Sequence, residues 1–411
     1  MASIAPAEVA WPTGRAQRSE RAEAAATAGL APALMLVVLL LHPIVSLLIL
    51  GVVNVFARVS RVVVGVWLAA FTVLIVARQY GVSWSEESDD DAPIYFELIG
   101  RLVGRPLQAV LFDPDLALDM EPFPKVFWWA VHGVTGSLSL TVFLQCLLWA
   151  WALWHLSSTV SRRFAVVVLI TGCLLAPSLV TYEFLHLYRS AWACCFVALA
   201  LAAQLRRSRL AYAWAALAVL SHASAIIFVV ALIAGQLWAD GRVRRVHLVV
   251  GAVVMAAAFS FGGAQLQDSL FLAKLAGYVA SDAPDRAMRI AKAAVFGAGM
   301  VGLYRISARG AAQRTAVLCA ALVVLTAFEP TLNAISDRLL TLYVPVLLIA
   351  LAPVLRPRLL VALLVVASLR ALELLSPASL LRFAEGAFAE LRVPLADFAW
   401  FIVHGSRLFP S

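Results

Sequence analysis

Long apolar runs separated by short polar breaks organise the whole chain. Runs at 30–57, 62–78, 137–156, 164–181, 183–205, 246–263, 287–304, 313–329, 338–353 and 358–375 each approach the roughly 20 residues that cross a bilayer as a helix. The pattern predicts an all-α, polytopic transmembrane helical bundle of about 10–12 membrane segments. Residues 1–29 lack an apolar core, so no cleavable signal peptide is expected there, and they read as a flexible N-terminal segment. Residues 30–375 form one multi-pass membrane domain, and 376–411 form an amphipathic C-terminal segment in which 395–409 offers one more interfacial or spanning stretch.

The stretch 210–238 departs from the simple pattern, because Ser221-His222-Ala223-Ser224 interrupts its centre. The charges around it decide how to read the break. Arginines gather in the breaks at Arg58/Arg61, Arg162/Arg163, Arg206/Arg207/Arg209, Arg242/Arg244/Arg245, Arg305/Arg309/Arg314 and Arg356/Arg358. Such clusters mark cytoplasmic loops. A single straight span over 210–238 would put two of them on opposite sides. A hairpin of two short helices turning at Ser221-His222 keeps both on one side, with the turn buried in protein or lining a wet cavity.

With that hairpin the remaining polar residues collect at the other face. The long acidic segment 79–124 becomes an external loop, and 264–286 falls on the same side with Asp268, Asp282 and Asp285. Arg78, Asp89, Asp90, Asp91, Glu97, Glu121, Tyr182, Glu183, His186, Arg189, His222, Arg286, Arg289, Glu329, Asp337 and Arg338 all come to outer ends. Ionisable residues at the edge of an apolar zone are costly and mark substrate sites. A transporter would instead carry charge deep in its spans and on both sides of the midplane.

Composition agrees with this picture. The chain of 411 residues is 63% hydrophobic and 14% charged, and its mean hydropathy is +0.91. The net charge of +8 comes from the topology arginines and implies no nucleic-acid partner. Cys146, Cys173, Cys194, Cys195 and Cys319 lie in apolar runs without metal-ligand spacing and read as small buried hydrophobes.

Three places offer chemistry. In the external loop, Pro93 suits a first helical turn and Pro106 ends the helix. Glu97, Arg101 and Arg105 share one face, and Ile94, Leu98, Ile99, Leu102 and Val103 lie on the membrane side of an interfacial helix. Asp89, Asp90, Asp91 or Glu97 then supplies a general base for an acceptor hydroxyl in glycosyl transfer. The alternative is a solvated acidic loop. At the start of the span 183–205, Tyr182, His186 and Arg189 share a face, where a guanidinium can grip phosphate oxygens in two-pronged fashion. The bland alternative pairs Arg189 with Glu183 or an acid of the outer loop. His222, flanked by two serines, is a candidate catalyst or a hydrogen-bonded packing residue. Arg289 and Arg338 are further candidates to complete an anionic pocket.

Phosphate-binding Gly-rich loops, His-Glu-x-x-His and a nucleophile elbow are absent from the sequence. A donor arriving within the bilayer on a polyprenyl carrier therefore fits better than a cytoplasmic nucleotide sugar.

Four segments carry a family resemblance. They are Arg78 followed by Ser88-Asp89-Asp90-Asp91 and Tyr95; Glu121-Pro122-Phe123; Tyr188-Arg189-Ser190-Ala191; and Leu220-Ser221-His222-Ala223-Ser224-Ala225. In this order the chain resembles the EpsG-type, Wzy-like bacterial exopolysaccharide polymerases over roughly 60–375. It departs from them in Ser190, where the family usually has Gln, and in carrying three aspartates in place of one. The resemblance implies a fold like the C-type membrane glycosyltransferases. It implies joining of lipid-linked oligosaccharide units at the outer face of the bacterial inner membrane. The donor would be a glycan on undecaprenyl pyrophosphate and the acceptor the end of another lipid-linked unit. Arg78, Tyr95 and Glu121 enter the substrate site on this basis. No cofactor or metal is expected, because arginines can stabilise a pyrophosphate leaving group. Flippase and chain-length or export proteins are the expected partners. A single-sugar transferase using a polyprenyl-phosphate sugar, a lipid-linked sugar transporter or flippase, and a non-catalytic assembly subunit are the alternatives.

Overall fold

The computed structural model describes residues 43–69, 72, 92–112, 121–174, 188–244, 247, 286–306, 310–326, 343–352, 361–362 and 365–366. Every regular element among these residues is a helix. In chain order they are α1 (Pro43–Phe56), α2 (61–69), α3 (Ala92–Leu102), α4 (Leu107–Phe112), α5 (Pro122–Thr135), α6 (Leu138–Val160), α7 (Ala165–Leu174) and α8 (Tyr188–Leu205). They continue with α9 (Leu210–Ser221), a 3-10 turn (Ala223–Ala225), α10 (Ile226–Ala239), α11 (Arg286–Ile306), α12 (Ala311–Thr326) and α13 (343–351). Leu140–Val160 and Tyr188–Leu205 are long and apolar enough to cross a membrane. The second is almost wholly enclosed by other helices, so α8 is the central post of the bundle.

Hydrogen bonds between helices fix their directions. Arg206 donates to the Thr159 hydroxyl at 2.9 Å, and Gln204 donates to Gln236 Oε1 at 3.4 Å. The ends of α6, α8 and α10 therefore meet at one level. Arg314, in the first turn of α12, donates to the Trp238 carbonyl at the end of α10 and lies 5.0 Å from the Trp238 ring centroid. Asn54 is 3% exposed and joins α1 to α7 at this level. Its amide donates to the Arg163 carbonyl at 2.8 Å, and its Oδ1 accepts the Val166 and Val167 amides at 3.0 and 3.3 Å. One buried side chain thus satisfies two of the amides that every helix start leaves orphaned.

The same contacts report the path of 210–239. α9 leaves the Gln204 level and climbs beside α8. The chain breaks at His222, whose backbone is extended (φ −158°, ψ 122°), and α10 descends until Gln236 meets Gln204 again. The predicted hairpin is present. It brings Arg206, Arg207 and Arg209 to the same end as Arg242 and Arg244. α9 has 12 residues and is about 18 Å long, well short of the roughly 30 Å hydrocarbon core. Recessed backbone at the tip must find partners, and it does. The His222 amide donates to Ala218 O at 3.0 Å and the Ala225 amide to His222 O at 2.9 Å. Side chains take the two amides between them, as described below.

This arrangement has a direct consequence for labelling. Single cysteines placed at Ser208 and Gly241, in a chain with its native cysteines replaced, should both resist an impermeant reagent applied to the outside of cells. One placed at Ser88 should react. Reaction at Gly241 with protection at Ser208 would contradict the hairpin.

The outer segment differs from expectation in two respects. First, α3 does not present its apolar face to lipid. Tyr95, Phe96, Leu98, Ile99 and Leu102 are all buried in the core, and only Val103 of the expected face that is described is exposed. Amphipathic spacing shows that a face must be covered, and here the covering comes from α5, α6 and α8. Second, a helix that was not expected, α5, begins at Pro122 and fills the interval between the outer segment and the span from 137. Pro122 and Pro124 occupy the first turn of α5, where a missing N–H costs nothing. Gly136 (φ 61°) closes α5, and the Ser137 hydroxyl accepts the Leu140 amide at 3.3 Å to start α6. The four cysteines that are described, Cys146, Cys194, Cys195 and Cys319, are buried and free, as expected.

Candidate substrate site at one end of the helices

At the end opposite the arginine clusters, α3, α5, α8 and the hairpin tip converge on one carboxylate. Glu121 immediately precedes α5. Its Oε2 accepts Arg189 Nη1 at 3.1 Å, and its Oε1 accepts the Ala223 amide at 3.1 Å. The side chains of Arg189 and Glu121 are 28% and 16% exposed, so the pair is shielded but open to a ligand. The Arg189 guanidinium also donates to the Tyr95 hydroxyl. Tyr95 in turn stacks on Tyr188, with centroids 5.0 Å apart. Glu121 thereby stands at the start of the helical run Ala223–Ala239, whose positive end favours an anion.

His222 completes the tip. Its Nδ1 accepts the Ser224 backbone amide at 3.2 Å and lies 2.7 Å from the Ser224 hydroxyl. A ring nitrogen that accepts an amide proton carries none itself, so Nε2 holds the proton of the neutral ring. The two orphan amides at Ala223 and Ser224 are therefore taken by a carboxylate and an imidazole. Both groups are fixed within the same turn of chain.

Below the pair lies an aromatic floor. Trp128 and Trp192 donate their indole N–H groups to Gln145 Oε1 at 2.6 and 3.0 Å. Trp149 packs edge-on against Tyr188 and Trp192, both at 5.7 Å. Gln145, Trp128 and Tyr188 are wholly buried. The floor holds Arg189 at a fixed height, because Tyr188 and Trp192 flank it in α8.

The structure brings together Tyr95, Glu121, Arg189 and His222. Glu97 is placed apart from them. It is two residues beyond Tyr95, on the opposite side of α3, where it is exposed and ion-paired with Arg101. Arg78, Asp89, Asp90, Asp91, Tyr182, His186 and Arg338 lie outside the described residues, as does Glu183, and the side chain of Arg289 is likewise not described. Among the described residues no group of His, Cys, Asp and Glu could hold a metal ion. Sequence reasoning passed over Gln145, Lys125 and the tryptophans, which sit within apolar or aromatic stretches that read as span or loop end. Arg189 pairs with Glu121, an acid of the outer segment and so one of the two kinds of partner the sequence offered for it.

The apolar helical bundle is that of a membrane protein, with a charged, aromatic-floored cluster at one end of its helices. The chain matches the EpsG family model over residues 96–369, about two-thirds of its length, and it belongs to that family. Membership places it with the polysaccharide polymerases. The search of curated proteins and the search of solved structures return no match.

Proposed function

We propose that the protein polymerises lipid-linked oligosaccharide repeat units into exopolysaccharide at the outer face of the bacterial inner membrane. The observation that supports this reading most is Arg189, held at the outer end by Glu121, Tyr95 and the hairpin tip. In the proposed reaction Arg189 binds the pyrophosphate of an undecaprenyl-linked donor. The acceptor hydroxyl of a second lipid-linked unit loses its proton to a carboxylate among Asp89, Asp90 and Asp91, and its oxygen attacks the donor's anomeric carbon while His222, with its proton on Nε2, donates a hydrogen bond to the substrate. The glycosidic bond forms as the bond to the pyrophosphate oxygen breaks, and the lipid pyrophosphate leaves. Arg78, Tyr182, His186, Arg289 and Arg338 are proposed to line the same outer pocket. Glu97 is the weakest candidate for the base, since it is paired with Arg101 on the far side of α3.

The base is tested by isosteric neutralisation. Among Asp89→Asn, Asp90→Asn, Asp91→Asn and Glu97→Gln, at least one should reduce polymer by about a hundredfold or more, within the range assigned to general-base catalysis. Protein level and membrane insertion should stay normal. Normal polymer from all four would remove the base assignment.

A further inference from the structure

Lys125 is an enclosed lysine for which the reaction described above has no use. It lies one turn beyond Glu121 in α5 and is only 3% exposed. Its ammonium makes no ion pair or hydrogen bond among the described residues. Burial depresses its pKa, and the nearby Glu121 carboxylate opposes that shift only in part. A Glu followed four residues later by Lys is a favourable helical pair, yet Glu121 spends both oxygens on Arg189 and the Ala223 amide. The described site thus holds two cations, Arg189 and Lys125, against one carboxylate, next to the positive end of the Ala223–Ala239 helix. Two cations gathered around one carboxylate favour the approach of an anion.

We propose that Lys125 is a second substrate-binding cation, which with Arg189 forms a site for a phosphoryl anion carrying more than one negative charge. The guanidinium offers a planar fork to two oxygens, and the ammonium serves as a compact point charge for a third. Glu121 occupies part of that site in the empty protein and gives way when the anion enters. Once Glu121 has given way, two cations match a diphosphate, which carries two or more negative charges, whereas a phosphodiester brings a single one and would leave one cation uncompensated. This inference rests on the polymerase reading for the source of the diphosphate, but not for the existence of the site.

The test uses the full chain in nanodiscs of phosphatidylcholine, with farnesyl diphosphate as the probe. Lys125→Gln should weaken its binding by about tenfold or more. Lys125→Arg, which keeps the charge, should stay within about threefold of wild type. Phosphatidylglycerol added to the discs should not displace the probe. Lys125→Met should melt no lower than wild type, because the ammonium it removes is unpaired and its stem is already packed. Unweakened binding by Lys125→Gln, or equal displacement by phosphatidylglycerol, would overturn the proposal. So would a lower melting temperature for Lys125→Met, which would make the lysine a structural partner of Glu121. Lys125-dependent binding by a chain that makes no polymer upholds the site and sinks the polymerase reading. Unchanged binding together with unchanged polymer from Lys125→Gln does the reverse.

Discussion

Replacing Arg189 by alanine should abolish polymer while single repeat units accumulate on the lipid carrier, since the steps that build and export them remain intact. Arg189→Lys keeps the charge but loses the planar fork, and should still reduce polymer about ten- to hundredfold, the equivalent of one charge-assisted hydrogen bond of roughly 1.5–3 kcal/mol. The contact with Glu121 supplies a sharp control. If Arg189 did no more than neutralise Glu121, the damage from Arg189→Ala would come from an unpaired carboxylate beside a buried aromatic floor. The double variant Arg189→Ala/Glu121→Ala would then recover activity. The substrate role predicts no recovery, because the group that grips phosphate is still missing. Polymer length on gels and the lipid-linked fraction from the same cells read both outcomes.

The second large effect is mechanical. Gly235 in α10 faces Thr315 of α12 so closely that a methyl group would sit 2.7 Å from the Thr315 backbone nitrogen and 2.8 Å from its Cα. Backbone in the middle of a packed helix does not yield as a flexible side chain does. Gly235→Ala should therefore push α10 from α12, costing about 1–3 kcal/mol or more of stability by overpacking. A fall in melting temperature of the purified protein would show it. Activity should fall further than stability alone explains, because α10 carries the hairpin tip that presents the Ala223 amide and His222. Gly297→Ala gives the comparison. There the added methyl meets only Val324 Cγ2 at 3.1 Å, a rotatable side chain, and the cost should be much smaller.

Charge and hydropathy were enough to read the hairpin. Two arginine clusters flanking one apolar stretch conflict with a single span, and Ser221-His222 is the weakest point of that stretch. Structure adds how the break is tolerated. Glu121, far away in sequence, caps one amide, and His222 caps the next. The pairing of Arg189 with Glu121 spans 68 positions, and no periodicity in either segment signals it. Local sequence did show that both ends belong to one face. The misreading of α3 has a related cause. Its apolar positions demand cover, but lipid and a neighbouring helix satisfy that demand equally well, and only tertiary packing chooses between them. α5 escaped notice because it falls between the external loop 79–124 and the run at 137–156, although prolines in a first turn are a helix start. Lys125 lies in the same gap.

The most direct test of a diphosphate-using polymerase site at the outer end is reconstitution. Purified protein in liposomes would receive a synthetic repeat unit linked to undecaprenyl pyrophosphate, with no other enzyme and no nucleotide sugar. Wild type should convert it to a ladder of longer lipid-linked glycans and release undecaprenyl pyrophosphate, and Arg189→Lys should leave the single unit largely unconsumed. A ladder of equal yield from Arg189→Lys, or no ladder from folded wild type, would contradict the account.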